Sequence, residues 1–287
     1  MVLSRKKPTL DSEKLNSQIS FFVRCFGIVQ NSTILDYRWG QEVFRTLYFL
    51  YKRYVEDPFY GLVKQHPELC QNGHVLDIGA NIGYTSYIFA KAIQPGFKVF
   101  AFEPEEHTFA LLINCIQDKG LQNIIVPARA AIGDSEGRVN IWRNRHHSGD
   151  HRTVTKEFIK LLGNDTDEIQ SVPAVTIDAF LESQHIREPI SLIKIDVQGY
   201  ELPVCCGMAK TLTVNSEASV AFEYSPDQMR QLGFDANSLL DFFFSRNFQL
   251  YFIEHSGKLV KLNDHLLGDH LNKHGYVNIL ASKQNIS

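Results

Sequence analysis

Several carboxylates and two glycines stand where a ligand-binding chain would need them. Asp77, Gly79 and Gly83 fall within VLDIGANIGYTS (75–86), an apolar run that meets two glycines four apart and resumes as a helix. Glycine permits a tight turn and lets another group approach the backbone closely. The Asp77 carboxylate is placed to accept from a cationic group or to order the loop. Beyond Gly83, Glu103 ends the next strand-like run, VFAFEP, where an acidic side chain can accept both hydroxyls of a ribose. Asp196 in LIKIDVQGYE and Glu223 in FEYSPD stand at the ends of two later runs. A carboxylate positioned there can take the proton of an alcohol nucleophile. Glu201 opens the helix after Asp196, where a negative charge is also favourable for the helix itself.

Two cofactors compete for the glycine turn. A dinucleotide site reads GxGxxG, because the second glycine admits a pyrophosphate onto the helix N-terminus. Aligned on Gly79, this chain has Asn81 and Tyr84 at the other two glycine positions, and its own spacing is GxxxG. That disfavours NAD and fits S-adenosylmethionine, which carries no phosphate. A tight turn serving only the fold is the plain alternative.

RNRHHSGDHR (143–152) is the other unusual stretch, with three histidines, an aspartate and three arginines and no core-like periodicity. His147 could serve as a base, Arg152 as a clamp for an anionic acceptor, and Asp150 as an oxygen ligand; a solvated loop is the alternative. The histidine spacing is not a zinc arrangement. Asp196, Glu223 and Asp150 are hard oxygen donors, so a divalent metal is compatible with the chain but is not predicted.

The elements that must position these residues alternate. His74 onward reads strand, helix, strand, helix: HVLDIGA, YTSYIFAKAI, KVFAFEP, and EEHTFALLINCIQDKG closed by Gly120. NIIVPARAAIG reads as a third strand, GRVNIWRN as an antiparallel addition, and SLIKIDVQG, ASVAFEYSP, FQLYFIEH and GYVNILASK as later strands. Alternation of this kind predicts an α/β fold with a mostly parallel sheet and helices on both faces. Ligands in such folds bind beyond the carboxyl ends of the strands. Residues 1–70 read as a helical extension or cap and 71–287 as the main domain. Phe44, Leu47, Tyr48, Tyr51 and Tyr54 recur at helical spacing and could share one face, as core or as an aromatic wall for an acceptor.

The bulk properties narrow the class. The 287 residues are 44% apolar and 21% charged, with a net charge of −3. This chain can build a full core and carries no basic field to recruit nucleic acid or anionic membrane. Its five cysteines form no CxxC pair and suit a reducing compartment. The basic N-terminus runs into polar residues, and the most apolar early stretch, ISFFVRCFGIV, is too short and too charged to span a bilayer. A cytoplasmic protein with no membrane partner is expected; oligomeric state is not readable.

Residues 73–283 resemble the FkbM-type S-adenosylmethionine-dependent methyltransferases. The resemblance rests on VLDIGANIGYTS, VFAFEP, AAIGDSEGRVNIW, SGDHR, VPAVTIDAF, LIKIDVQGYELPVCCG and FEYSPDQMRQLGFD, in that order. It implies a class I, Rossmann-like methyltransferase fold of seven strands, the last antiparallel. It also implies that Asp77, Gly79, Asn81 and Gly83 line the methionine part of the cofactor, with Glu103 on the ribose and Ala131 and Ile132 near the adenine. Because SGDHR belongs to the match, Asp150 and Arg152 are carried as acceptor-binding candidates, with His147 beside them. Gln198 departs from the glutamate usual in the family at that position, which weakens any catalytic role for a carboxylate there. The expected function is O-methylation of a hydroxyl on a small molecule such as a sugar or glycosylated metabolite. A non-catalytic cofactor-binding scaffold and, more remotely, an NAD-dependent oxidoreductase are the alternatives.

Overall fold

A computed structural model describes residues 38–52, 57–144, 150–163, 166–284 and 286. The chain divides into two compact units, Met1–Glu56 and Asp57–Ser287. Helix α1 (Arg38–Tyr51) belongs to the first. On it Tyr48 is buried while its neighbour Leu47 is 45% exposed. The two therefore differ in environment, and Tyr54 lies outside the described residues.

In the larger unit, α2 (Phe59–Gln65) and a short 3-10 turn (Pro67–Cys70) lead into the sheet. The strands that build the sheet are β1 (His74–Ile78), β2 (Val99–Phe102), β3 (Ile125–Ala128), β8 (Ile190–Ile195) and β9 (Ser219–Tyr224), all parallel. β12 (Val277–Ser282) runs antiparallel beside β9, followed by β10 (Gln249–Ile253) and β11 (Leu259–Lys261). The order is β11-β10-β12-β9-β8-β1-β2-β3. The last strand is antiparallel, as expected, but among the described residues this sheet has eight strands rather than seven. The three-residue β11 folds back on β10 at the sheet edge, and its sequence is too short to show a period.

All residues of β1 and β2 are buried, as a parallel sheet covered on both faces requires. Alternate residues sort the two faces. Leu76, Ile78, Phe102, Ile193, Ile195 and Phe222 share one core cluster. Helix α10 (Ala236–Phe244) packs there, stacking Phe243 on Phe222 at 4.8 Å. Helix α6 (Ile177–Ser183) sets Phe180 edge-on to Phe102. The residues between those positions, including Asp77 and Lys194, point to the opposite face, where α3 (Tyr84–Ala92) lies over β1.

A second sheet was not anticipated. It is formed by β4 (Ala131–Ile132), β7 (Ile169–Val175), β5 (Gly137–Trp142) and β6 (Arg152–Thr153), in that order. The run NIIVPARAAIG is thus two strands in two sheets. The chain turns between them, with the Ala130 N–H bonded back to the Ala128 carbonyl. GRVNIW is antiparallel as expected, and its partners are β7 and β6 of this second sheet. The helix expected to open at Glu201 is also followed closely by a second, the two being α7 (Glu201–Cys206) and α8 (Ala209–Val214). Helices α4 (Glu106–Asp118), α5 (Phe158–Leu162), α9 (Pro226–Gln231) and α11 (Asp264–His274) complete the unit.

Two glycines let α2 dock on the β10–β11 turn. A Cβ on Gly61 would meet the Ser256 backbone, and one on Gly257 would run into the Gly61 carbonyl. Gly257 also has φ +91, and the Gln65 side chain donates to the Ser256 carbonyl. Gly257→Ala is therefore expected to cost about 2 kcal/mol through strain and overlap. Urea denaturation checks this; a loss within error of zero would contradict the docking.

Candidate functional site

The glycine turn after β1 is held from within the protein. Gly79 has φ +76, and a Cβ there would fall on the carbonyl of Asp196. Gly83 has φ +92, and a Cβ there would lie 2.8 Å from Leu112. Both positions thus require glycine for backbone conformation and protein packing, before any ligand is considered. The N–H groups of Gly79 and Ala80 both donate to the Phe102 carbonyl at the end of β2.

Asp77 is fully buried, and its carboxylate faces inward. One oxygen accepts from Thr85 (2.7 Å) and Ser86 (2.5 Å) in the first turn of α3. The other faces the Lys194 ammonium at 3.4 Å. The two options read for this carboxylate, ordering the loop and meeting a cation, are thereby combined. Lys194, only 2% exposed, also donates to the Gly79 carbonyl at 2.8 Å and stands 3.7 Å from Asp196. Sequence reasoning missed it, although a lysine inside the apolar run SLIKI was its signal.

Glu103 follows β2 and is 5% exposed. Its two oxygens accept from the N–H groups of Asn81 and Glu105, each at 3.0 Å. A carboxylate has about four acceptor positions, so two remain for a diol. Burial pushes Glu103 up to about 8, against those two hydrogen bonds. Asn81, with φ +48, links this acid to the glycine turn and accepts from the Ile82 N–H. Ala131 and Ile132 are buried in β4 and pair with Ala174 and Val175.

Asp196 follows β8 with its side chain 30% exposed. Gln198 donates to it at 2.8 Å, and Gln228 of α9 donates to Gln198 at 3.0 Å. Because an ionised carboxylate only accepts, it fixes which end of each amide points which way. The family's usual glutamate, when ionised, could not donate in this way. Gln198 sits at φ +56, and Gly199 beside it packs against the Gln228 backbone. Glu201 holds this turn by accepting from the N–H groups of Val197 and Gly199. Burial pushes it up to about 7. Glu223 is half-buried in β9, opposite Asn278 of β12, one residue past the pairing of Phe222 with Ile195.

The 150–152 segment forms a neighbouring cluster. Asp150 accepts from Arg152 (2.7 Å) and Asn144 (3.0 Å), and Arg152 donates onward to Gln231 of α9. His151 accepts from the Asn144 N–H on Nδ1 and so presents Nε2–H to Thr108, at 3.3 Å. Thr108 in turn donates its backbone N–H to Glu105. The contacts form a chain from Glu103 through Glu105, Thr108, His151, Asn144, Asp150 and Arg152 to Gln231 of α9, and from Gln228 of α9 through Gln198, Asp196 and Lys194 to Gly79. His147 lies outside the described residues. Among the described residues no group of three or more His, Cys, Asp and Glu could hold a metal ion. No helix among them is long and apolar enough to cross a membrane.

Strand order and the glycine turn define the class I methyltransferase fold. Residues 77–250 match the family described as the methyltransferase FkbM domain, and the chain belongs to that family. It is 27% identical over 141 residues to the hexuronic acid methyltransferase AglP of Haloferax volcanii. That match spans 47% of this chain and half the length of the relative. Among solved structures, it is similar to the O-methyltransferase TomG of Streptomyces achromogenes in complex with SAM (10% identity, 79% of each chain, TM-score 0.44). The O-methyltransferase of Bacillus cereus in complex with SAH is comparably similar (10% identity, 78% of each chain, TM-score 0.45).

The raised Glu103 has a consequence for stability. Its protonated form favours the fold, so its contribution is complete below about 4.5 and is lost as pH rises through about 8. Glu103→Gln removes that loss. The melting temperature of the variant relative to the parent is expected to rise between pH 5 and pH 8, and a constant difference would contradict the buried carboxyl.

Proposed function

We propose that this protein transfers a methyl group from S-adenosylmethionine to a hydroxyl of a small molecule, a sugar or glycosylated metabolite. The observation that carries the reading is the buried Glu103 carboxylate, tied to the glycine turn through Asn81 and still able to accept from a ribose diol. Gly79, Asn81 and Gly83 shape the turn beside the methionine portion, and Asp77 holds that turn from behind. Ala131 and Ile132 are assigned to the adenine side. The GxxxG spacing and the protein-packed glycines leave little backbone for a pyrophosphate, which supports this cofactor over NAD.

When bound, the cofactor supplies an electrophilic methyl on a sulfonium. The chain's own task is to align the acceptor oxygen with it, which is where much of the rate arises. As the oxygen–carbon bond forms and the carbon–sulfur bond breaks, the hydroxyl proton must pass to a base. Asp196 is assigned that role, with Glu223 as the second carboxylate. Asp150 and Arg152 are assigned to the acceptor side, with His147 beside them. Arg152 is already paired with Asp150, so it serves better as a fixed hydrogen-bonding wall than as an unpaired anion clamp. Acidic sugars are the first acceptors to test, since a relative is named for hexuronic acid. A base-stable product would be an ether and an alkali-labile one an ester. Residues 1–70 are read as an extension to this domain, and a reducing, cytoplasmic setting suits a chain whose five cysteines form no CxxC pair.

Calorimetric titration with S-adenosylhomocysteine, beside NAD, tests the cofactor. Micromolar binding of the former alone, weakened at least tenfold in Glu103→Gln, is expected. Binding of NAD alone would overturn the reading, and binding of neither would favour a degenerate scaffold. In the acceptor assay, Asp196→Asn is expected to lower kcat by about 100-fold, the scale of general-base catalysis, with the cofactor still bound. An unchanged kcat would remove Asp196 from that role.

A further inference from the structure

We propose that Lys194 is a positioning residue, whose buried ammonium sets the cofactor turn and the Asp196 carboxylate relative to each other. The inference rests on the cofactor reading above. Lys194 lies in the centre of the sheet, paired with Asp77 on one side and Ala221 on the other. Residues in register on parallel strands share a face, so its side chain runs alongside that of Asp77. The neighbours of this pair along the two strands, Val75 and Leu192, are fully buried and apolar.

Taking an ammonium and a carboxylate out of water costs several kcal/mol per ion, and well-packed apolar residues often serve stability as well or better. Stability therefore gives no reason for a lysine here. Geometry does. An ammonium has three donors, and this one faces three oxygens from three points of the site: the Gly79 carbonyl, Asp77 and Asp196. The N–H of the Gly79–Ala80 peptide already donates to the Phe102 carbonyl, so Lys194 completes the fixing of that peptide on its carbonyl side. The same group faces Asp196, whose other oxygen is held by Gln198. One side chain thus spans the turn assigned to the methionine portion and the carboxylate assigned to the acceptor proton.

The experiment compares the full-length parent with Lys194→Met, Asp77→Asn, and the double variant, by thermal melting and by titration with S-adenosylhomocysteine at low temperature. Lys194→Met alone leaves the Asp77 carboxylate buried without its cation and is expected to melt well below the parent. The double variant removes both charges and is expected to regain most of that loss. It should nevertheless bind S-adenosylhomocysteine at least tenfold more weakly than Asp77→Asn. Lys194→Gln, neutral but still a donor, should fall between the parent and Lys194→Met in affinity. A double variant that binds as tightly as Asp77→Asn would overturn the proposal, leaving Lys194 a structural residue. The same conclusion follows if none of the Lys194 variants folds. Failure of the parent itself to bind would instead remove the cofactor reading, and the proposal with it.

Discussion

The contact between Lys194 and Asp77, sealed between two central strands, is the constraint on which the site depends. Charges in a parallel sheet are costly, and these two sit directly beyond the buried apolar pair Val75 and Leu192. Asp77 distributes its carboxylate between the first turn of α3 and the lysine. The helix is thereby held to the strand that precedes it, and the turn between them has little freedom left. Gly79 and Gly83 then need to be glycine for reasons internal to the protein. Packing within the protein shapes this turn before any ligand is considered.

From that centre, polar contacts extend outward in two directions. One passes from the turn through Asn81 to Glu103 and on to the cap of α4 at Glu105. The other passes from Asp196 through Gln198 to α9. Helix α9 carries both Gln228 and Gln231, three residues apart and so on one side of the helix. It therefore reaches the strand end and the 150–152 segment together. This arrangement gives Gln198 a physical reason. At that position an amide can accept from Gln228 and donate to Asp196, a relay that an ionised carboxylate cannot complete.

Much of this was legible in the sequence and some was not. The strand ends carrying Asp77, Glu103, Asp196 and Glu223 stood out because each acid falls at the end of an apolar run. The alternation of elements gave the sheet its parallel character. Lys194 carried the same signal, a charge inside SLIKI, but a single residue there does not say which face it occupies or what it meets. The second sheet was hidden because β4 and β6 are two residues each, and pairing across so short a length leaves no period to read. Gln228 and Gln231 were ordinary helix residues in sequence, and only the turn at Gln198 and Gly199 brings them to the site. Glycine at 79 and 83 signals close approach in the sequence, and within the protein the groups that approach are Asp196 and Leu112, which no local pattern names.

The most direct measurement is a crystal structure of the protein with S-adenosylhomocysteine bound. The account places the ribose hydroxyls on Glu103 and the methionine portion beside the Gly79 turn, with Lys194 still donating to the Gly79 carbonyl. A ligand bound away from Glu103, or a Lys194 ammonium withdrawn from that carbonyl in the complex, would contradict it.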